Sequence, residues 1–414
     1  MKGEILVLLL SRLCVVPGIL CITRIAGANN AQGRQAKLIW FNRVMKIAPR
    51  FVFVIAVLLA ATADFVSAQT SWKGEWDKTL RAAESEGQLT LYGCCYDYDR
   101  VLEGFKKKYP KLKVSTVLSG GQLAARILAE RRGEKYLVDV VSSGANTLHD
   151  ALHKAHALDP IKPALLLPEV VDQSKWYDGE HRYIDTEGRY IFAFNANSQS
   201  GQITYNLKQV NPGEFKSYWD LLNPKWKGKL LSLDPTSFGM GTTLQFYYHH
   251  PELGPPFLRK LYGEMQITTG RDPRQMTDWL STGKFPVCIR CNAGSEVGKA
   301  VQQQLPIGYF DTDEWKEGGS ASAAGGTLGI PTRAPHPNAA KVFINWLLSR
   351  EGQIALQKLG RPDAHNSRRI DIPKDDVDPT NRLDPGKKYF DLAKPEYQDL
   401  TPIFKLVKEV LPQK

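Results

Sequence analysis

Apolar residues recur along the chain at two alternating spacings. In "LTLYG" (89–93), "LKVSTVL" (112–118) and "LVDVVSSG" (137–144) they form short β-type runs. Between these runs the spacing becomes helical. Val101, Leu102, Phe105 and Tyr109 share one face of a segment that stops at Pro110, and Leu123, Ile127 and Leu128 share another. A third helical stretch, "ANTLHDALHKAHAL", follows the third strand. Repeated strand–helix units predict right-handed crossovers and a parallel sheet covered on both faces.

Residues 159–215 break the pattern with Pro, Gly, Asp and Tyr, leaving strands predicted at 189–197 and 202–206. Alternation then resumes: helices over 215–224, 240–250, 255–265, 273–282 and 295–304, strands over 228–235, 284–290 and 306–310. A Gly/Ser/Ala-rich passage (316–331) reads as a second crossing, before helices at 338–360 and 401–411. The expected architecture is α/β with two lobes, residues 69–195 with 325–414 and residues 196–324, joined by a two-strand hinge around a cleft.

In open α/β sheets ligands bind beyond the carboxyl ends of the strands. Six post-strand loops are small and polar: "YGCCYDY", "LSGGQ", "SSGAN", "LDPTSFGMGT", "RCNAGS" and "AGGTLG". Candidate ligand contacts are therefore Cys94, Tyr96, Ser119, Gly120, Gly121, Gln122, Ser142 and Ser143 in the first lobe, Thr236, Ser237, Arg290 and Asn292 in the second, and Thr327 after the second crossing. Loops that lead into helix N-termini present free N–H groups and favour anions. Arg126 offers a guanidinium fork near "SGGQ"; the competing reading is an i,i+4 ion pair with Glu130. Arg290 is the one cation of its loop.

From Met45 the sequence "MKIAPRFVFVIAVLLAATADFVSAQT" has a basic start (Lys46, Arg50), an apolar run (51–61) and the small exit Val66-Ser67-Ala68. That is a secretory signal with cleavage expected before Gln69, so residues 1–68 are read as removed and the remainder as periplasmic. Translation is expected to start at Met45 rather than Met1. The 68 leading residues hold 8 of the chain's 54 Lys/Arg and 2 of its 43 Asp/Glu, which lowers the formal charge from +11 to +5. A mildly basic protein without a Lys/Arg block suits an anionic ligand and gives no sign of nucleic-acid binding. The pairs Arg131-Arg132 and Arg368-Arg369 read as solvated surface.

No HExxH, GxSxG, P-loop or GxGxxG in its strand–helix setting is present, so no nucleophile or phosphoryl-transfer signal argues for an enzyme. His149, His153 and His156 cluster on one helical segment without a third ligand that the sequence places, and read as a solvated face. Cys288 and Cys291 match CxxC, but Cys288 falls within a predicted strand, so no helix dipole is aimed at it.

The stretches "AARILAERRGEKYLVDVV", "KSYWDLLNPKWKGKLLSLDP" and "APHPNAAKVFINWLLSREGQ" resemble the substrate-binding proteins of bacterial ABC importers, in the branch whose relatives are often labelled ferric-iron binding. The likeness spans most of Trp72–Phe390. It implies a type II periplasmic binding protein fold that closes on its ligand by a hinge, a monomer without cofactor, and an inner-membrane ABC permease as partner. Ferric-binding relatives use an adjacent tyrosine pair in a second-lobe loop. Here that loop carries Cys291-Asn292, and Tyr247-Tyr248 lies in a predicted helix, where packing is the expectation.

The reading is thus a solute-binding protein for a small polar, anionic ligand. Its alternatives are a ferric-iron-binding protein and, in another class, a thiol oxidoreductase using Cys288 and Cys291. In the implied fold the pairs 94/95 and 288/291 both face the cleft. Three arrangements remain open: a Cys288–Cys291 disulfide with 94 and 95 free or paired to each other, a bridge between the lobes, or a soft-metal thiolate site.

Overall fold

In a computed structural model of the chain, residues 72–119, 122–291, 296–360, 365–384 and 386–411 are described. The expected signal peptide, Gly120, Gly121 and Asn292 lie outside these residues.

The first lobe opens with helix α1 (72–86), which the sequence reading had not assigned. Trp76, Leu80 and Ala83 give it a core-facing stripe at helical spacing. Strands β1 (Gln88–Gly93), β2 (Lys113–Leu118) and β3 (Val140–Ser143) then form a parallel sheet in the order β2-β1-β3. Helix α2 (Tyr98–Lys108) and helix α3 (Leu123–Arg132) cover it, and a π-type turn of helix, α4 (Thr147–His153), follows β3. Strands β4 (Leu158–Asp159), β5 (Arg182–Tyr183) and β6 (Phe192–Ala193) complete the outgoing part of this lobe.

The chain leaves through β7 (Asn197–Ser198) to β8 (Ile203–Asn206). In the second lobe β9 (Leu230–Leu233), β10 (Thr268–Gly270), β11 (Val287–Ile289) and β12 (Ile307–Tyr309) form a sheet ordered β10-β9-β11-β8-β12. The return runs through β13 (Ser320–Ser322) to β14 (Thr327–Pro331). Because β14 re-enters from the opposite direction, it pairs antiparallel with β3 and β6, so the first sheet is mixed rather than wholly parallel.

Strands β7 and β13 pair antiparallel between the lobes, and β15 (Phe390–Asp391) adds to β13 in parallel as a third strand. The chain therefore crosses once more. Its last helix, Thr401–Val410, buries Ile403, Leu406 and Val407 in the second-lobe core, whereas residues 325–414 had all been expected in the first lobe. An amphipathic helix goes where its apolar stripe finds a partner, and sequence order does not show that partner.

Arg368 and Arg369 also depart from expectation. Both are buried: Arg368 donates to Asp391 at 2.8 Å, and Arg369 pairs with Asp371 at 2.7 Å and donates to the Leu348 carbonyl at 3.1 Å. The partners offset a desolvation cost that an unpaired guanidinium could not meet. Among the described residues no helix is long and apolar enough to cross a membrane.

Candidate ligand cleft

The second-lobe rim is built at the carboxyl ends of two adjacent parallel strands, β9 and β11. After β9, Asp234 accepts from the Thr236 amide (2.8 Å) and hydroxyl (2.7 Å), which turns the chain into the loop carrying Ser237 and Gly239. Helix α5 (Gly241–His249) starts there. After β11 comes Arg290, in a left-handed backbone conformation (φ 65°) that non-glycine residues rarely adopt. A Cys288–Cys291 disulfide closes around it, with both cysteines buried and Cα atoms 5.8 Å apart. The CxxC motif is thus a staple that holds the Arg290 turn. Thiol–disulfide exchange needs an accessible sulfur, and neither of these is one.

The Arg290 Nε–H donates to the Gly239 carbonyl at 3.2 Å, and its backbone N–H to the Gln202 carbonyl at 2.7 Å. Burial lowers its pKa to about 10, so it stays a cation at neutral pH, and among the described residues it forms no ion pair. Beside it lies Tyr247, whose buried hydroxyl has no hydrogen-bond partner and whose pKa burial raises well above the usual phenol range. The Ser237 hydroxyl is likewise buried without a partner. Both hydroxyls thus lie buried against the rim that holds Arg290, and neither has a hydrogen-bond partner among the described residues.

The first-lobe rim is different, because the polar groups around β1, β3 and β14 are already engaged. Tyr98 donates to the Ser142 hydroxyl. The Ser143 hydroxyl lies 3.4 Å from Cys94 Sγ, and Thr327 donates to the Ser143 carbonyl at 2.6 Å. Tyr96 is buried and its hydroxyl meets His365 Nδ1 at 3.0 Å, so it does not stand in the cleft as a stacking platform. Arg126 takes the competing reading. Its Nε pairs with Glu130 at 2.8 Å and its guanidinium lies over the Tyr92 ring, 5.0 Å from the centroid. Ser119 and Gln122 are exposed. Cys94 and Cys95 are joined to each other, so neither a bridge between the lobes nor a four-thiolate metal site forms.

The rims meet where Asn146 Nδ2 lies 3.1 Å from the point a Cβ on Gly241 would occupy. Asn146 and Gln202 were missed from sequence because single amides in loops carry no pattern. The Gly241 contact, which any side chain would obstruct, is visible only in three dimensions.

Tyr247 is sealed in the helix as expected, and Tyr248 packs against the second-lobe core. Among the described residues one group of three His, Asp or Glu side chains converges, His153, Asp185 and Glu187 within 4.8 Å. It sits at the far end of α4 from the cleft, and both Asp185 oxygens already accept the N–H groups of Arg189, Tyr190 and Ile191 at 2.7–2.9 Å.

With this geometry in place, the comparison with known sequences is decisive: the profile of the bacterial extracellular solute-binding proteins matches residues 97–354. The chain belongs to that family. Its fold is the type II periplasmic binding protein fold, and three solved structures illustrate the likeness. One is a Trichodesmium protein (IdiA, FutA) in complex with iron and citrate: TM-score 0.59, 20% identity, 78% of this chain and 99% of that one. Another is the ferric binding protein from Campylobacter jejuni: 0.58, 16%, 78% and 99%. A third is AfuA from Actinobacillus pleuropneumoniae with fructose-6-phosphate bound: 0.55, 17%, 78% and 97%. One architecture thus carries iron and citrate ligands in one solved structure and fructose-6-phosphate in another, so the fold alone does not set the ligand.

Proposed function

We propose that the protein captures a small organic anion between its lobes in the periplasm, as a monomer, and delivers it to an inner-membrane ABC permease. The observation that carries the anion is Arg290: a half-buried cation with no acidic partner among the described residues, held in a stapled left-handed turn beside hydroxyls that lack partners among them. A buried charge of this kind costs stability unless a counter-charge arrives. A carboxylate or phosphate supplies one and accepts from a guanidinium in a planar fork. Serving the anion also explains why the Cys288–Cys291 staple is placed around this residue.

Ferric iron fits this site less well. Fe(III) wants phenolate and carboxylate oxygens, and the phenol at hand, Tyr247, is held protonated beside a cation. The test is a thermal-shift and calorimetric panel of inorganic phosphate, citrate, acetate and Fe(III) on the wild type and Arg290→Met. An anion at 100 times its Kd stabilises by about 2.7 kcal/mol. The expected result is stabilisation by at least one anion that Arg290→Met weakens on the order of 100-fold, while the unliganded variant melts no lower than wild type. Fe(III) binding with a tyrosinate charge-transfer band, or undiminished anion binding by Arg290→Met, overturns the reading.

A further inference from the structure

The two rims offer a ligand different chemistry, and the difference centres on the Cys94–Cys95 pair. Its loop leaves β1 with Cys95 in the left-handed region (φ 73°). Cys95 is exposed and Cys94 half-buried. A Cβ on Gly325, in the returning loop between β13 and β14, would lie 2.4 Å from Cys95 Cβ and 2.8 Å from its Sγ, so glycine there lets the disulfide seat directly on the hinge-side backbone. Leu118 ends β2 in register with Gly93, the residue before the pair, and is 43% exposed. A disulfide has no hydrogen to donate and behaves as a polarisable apolar surface.

A chain of contacts links this surface to the cation. Cys94 Sγ touches Ser143; three residues on, Asn146 meets Gly241; two residues before that, the Gly239 carbonyl holds Arg290. With Ser142, Thr327 and Tyr96 engaged inside the protein, the described first-lobe rim presents sulfur and a leucine beside the exposed Ser119 and Gln122, where the second presents charge and a hydroxyl.

We propose that the oxidised Cys94–Cys95 pair, with Leu118 beside it, is a ligand-contact surface that receives the apolar face of the anion held by Arg290. The ligand class is then an organic anion with a ring or hydrocarbon face, bound across the cleft with its charge in the second lobe and its apolar face in the first. This rests on the anion reading above. A ten-fold preference for such a ligand is about 1.4 kcal/mol. That corresponds to roughly 55 Å² of apolar surface removed from water, less than one aromatic ring offers.

Calorimetry on the oxidised protein with phenyl phosphate and inorganic phosphate as probes tests it. The wild type is expected to bind phenyl phosphate at least ten-fold more tightly. The double variant Cys94→Ser/Cys95→Ser should lower that ratio below two-fold while its Kd for inorganic phosphate moves less than two-fold, which also reports an intact fold. Leu118→Asn, which leaves the cysteines in place, should lower the ratio about three-fold. An unchanged ratio in both variants, or no preference in the wild type, overturns this inference and leaves the anion reading standing. Binding of neither probe by the wild type overturns both.

Discussion

The two rims of the cleft are made of similar residue types and do opposite things with them. In the first lobe Ser142, Thr327 and Tyr96 are consumed by internal hydrogen bonds. In the second, Ser237 and Tyr247 keep buried hydroxyls beside Arg290, and among the described residues neither hydroxyl has a partner and the cation no acid. The cysteine pairs repeat the contrast: Cys288–Cys291 is sealed and holds a turn, whereas Cys95 of the other pair is exposed. A hydroxyl already satisfied adds rigidity, and one left unsatisfied costs about 1–3 kcal/mol until something fills it.

After Arg290 itself, the orphaned hydroxyl of Ser237 should give the largest effect. Ser237→Ala deletes a group that lacks a partner among the described residues, so it should not lower the melting temperature and should weaken anion binding roughly ten-fold. Tyr247→Phe, a change sealed in the core, should alter affinity less than about two-fold. In the first lobe the reverse is expected. Thr327→Val strands the Ser143 carbonyl inside the sheet, costs about 1 kcal/mol of stability, and moves affinity less than three-fold. Melting curves and calorimetry on all three variants decide the matter. Equal affinity losses on both rims would break the comparison.

A smaller, pH-dependent effect centres on His365 in the first lobe. His365 is fully buried, and desolvation, helped by nearby Lys374, lowers its pKa to about 3. The unfolded chain binds a proton there from pH 6.5 downward while the folded one refuses it. Stability from this group is therefore complete above pH 6.5 and falls as the pH drops toward 3. His365→Asn retains an acceptor for Tyr96 and should flatten the melting-temperature profile between pH 7 and 5 by about 2 °C or more. His365→Asn should leave the pH dependence of anion affinity as in the wild type, because Arg290 stays charged throughout and only the ligand's own titration moves that affinity.

Much of the fold can be read in one dimension because it is written in periodicity. Apolar runs of strand length alternating with helical stripes such as Val101, Leu102 and Phe105 are sufficient for strand–helix lobes, and two polar, Gly-rich crossings for a hinge. What escapes is whatever depends on a distant partner. The last helix joins the second-lobe core and Arg368 finds Asp391 across 23 residues of chain, and no local pattern encodes either. The site is legible to a similar degree. The strand-end loops could be named, and Arg290 singled out as the one cation of its loop. Which hydroxyls are spent and which are free is a property of packing, as Tyr96 shows by turning inward to His365.

Arg126 provides the finest test of that distinction, because sequence admits two roles for it and the structure shows one. Its guanidinium is exposed, paired with Glu130 one helical turn on, and laid over Tyr92. Exposed i,i+4 pairs contribute about 0.3–0.5 kcal/mol, and an exposed cation laid over a ring about 0.5–1. Arg126→Ala should therefore lower stability by no more than about 1 kcal/mol and change anion affinity less than two-fold, set against the 100-fold expected at Arg290. Paired titrations at low and high salt separate the roles further. A residual long-range attraction by Arg126 would fade once the Debye length falls to about 3 Å near 1 M salt, whereas the desolvated contact at Arg290 is screened much less. A ten-fold loss at Arg126 that persists in high salt would place a direct ligand contact on the first lobe and remove the asymmetry between the rims.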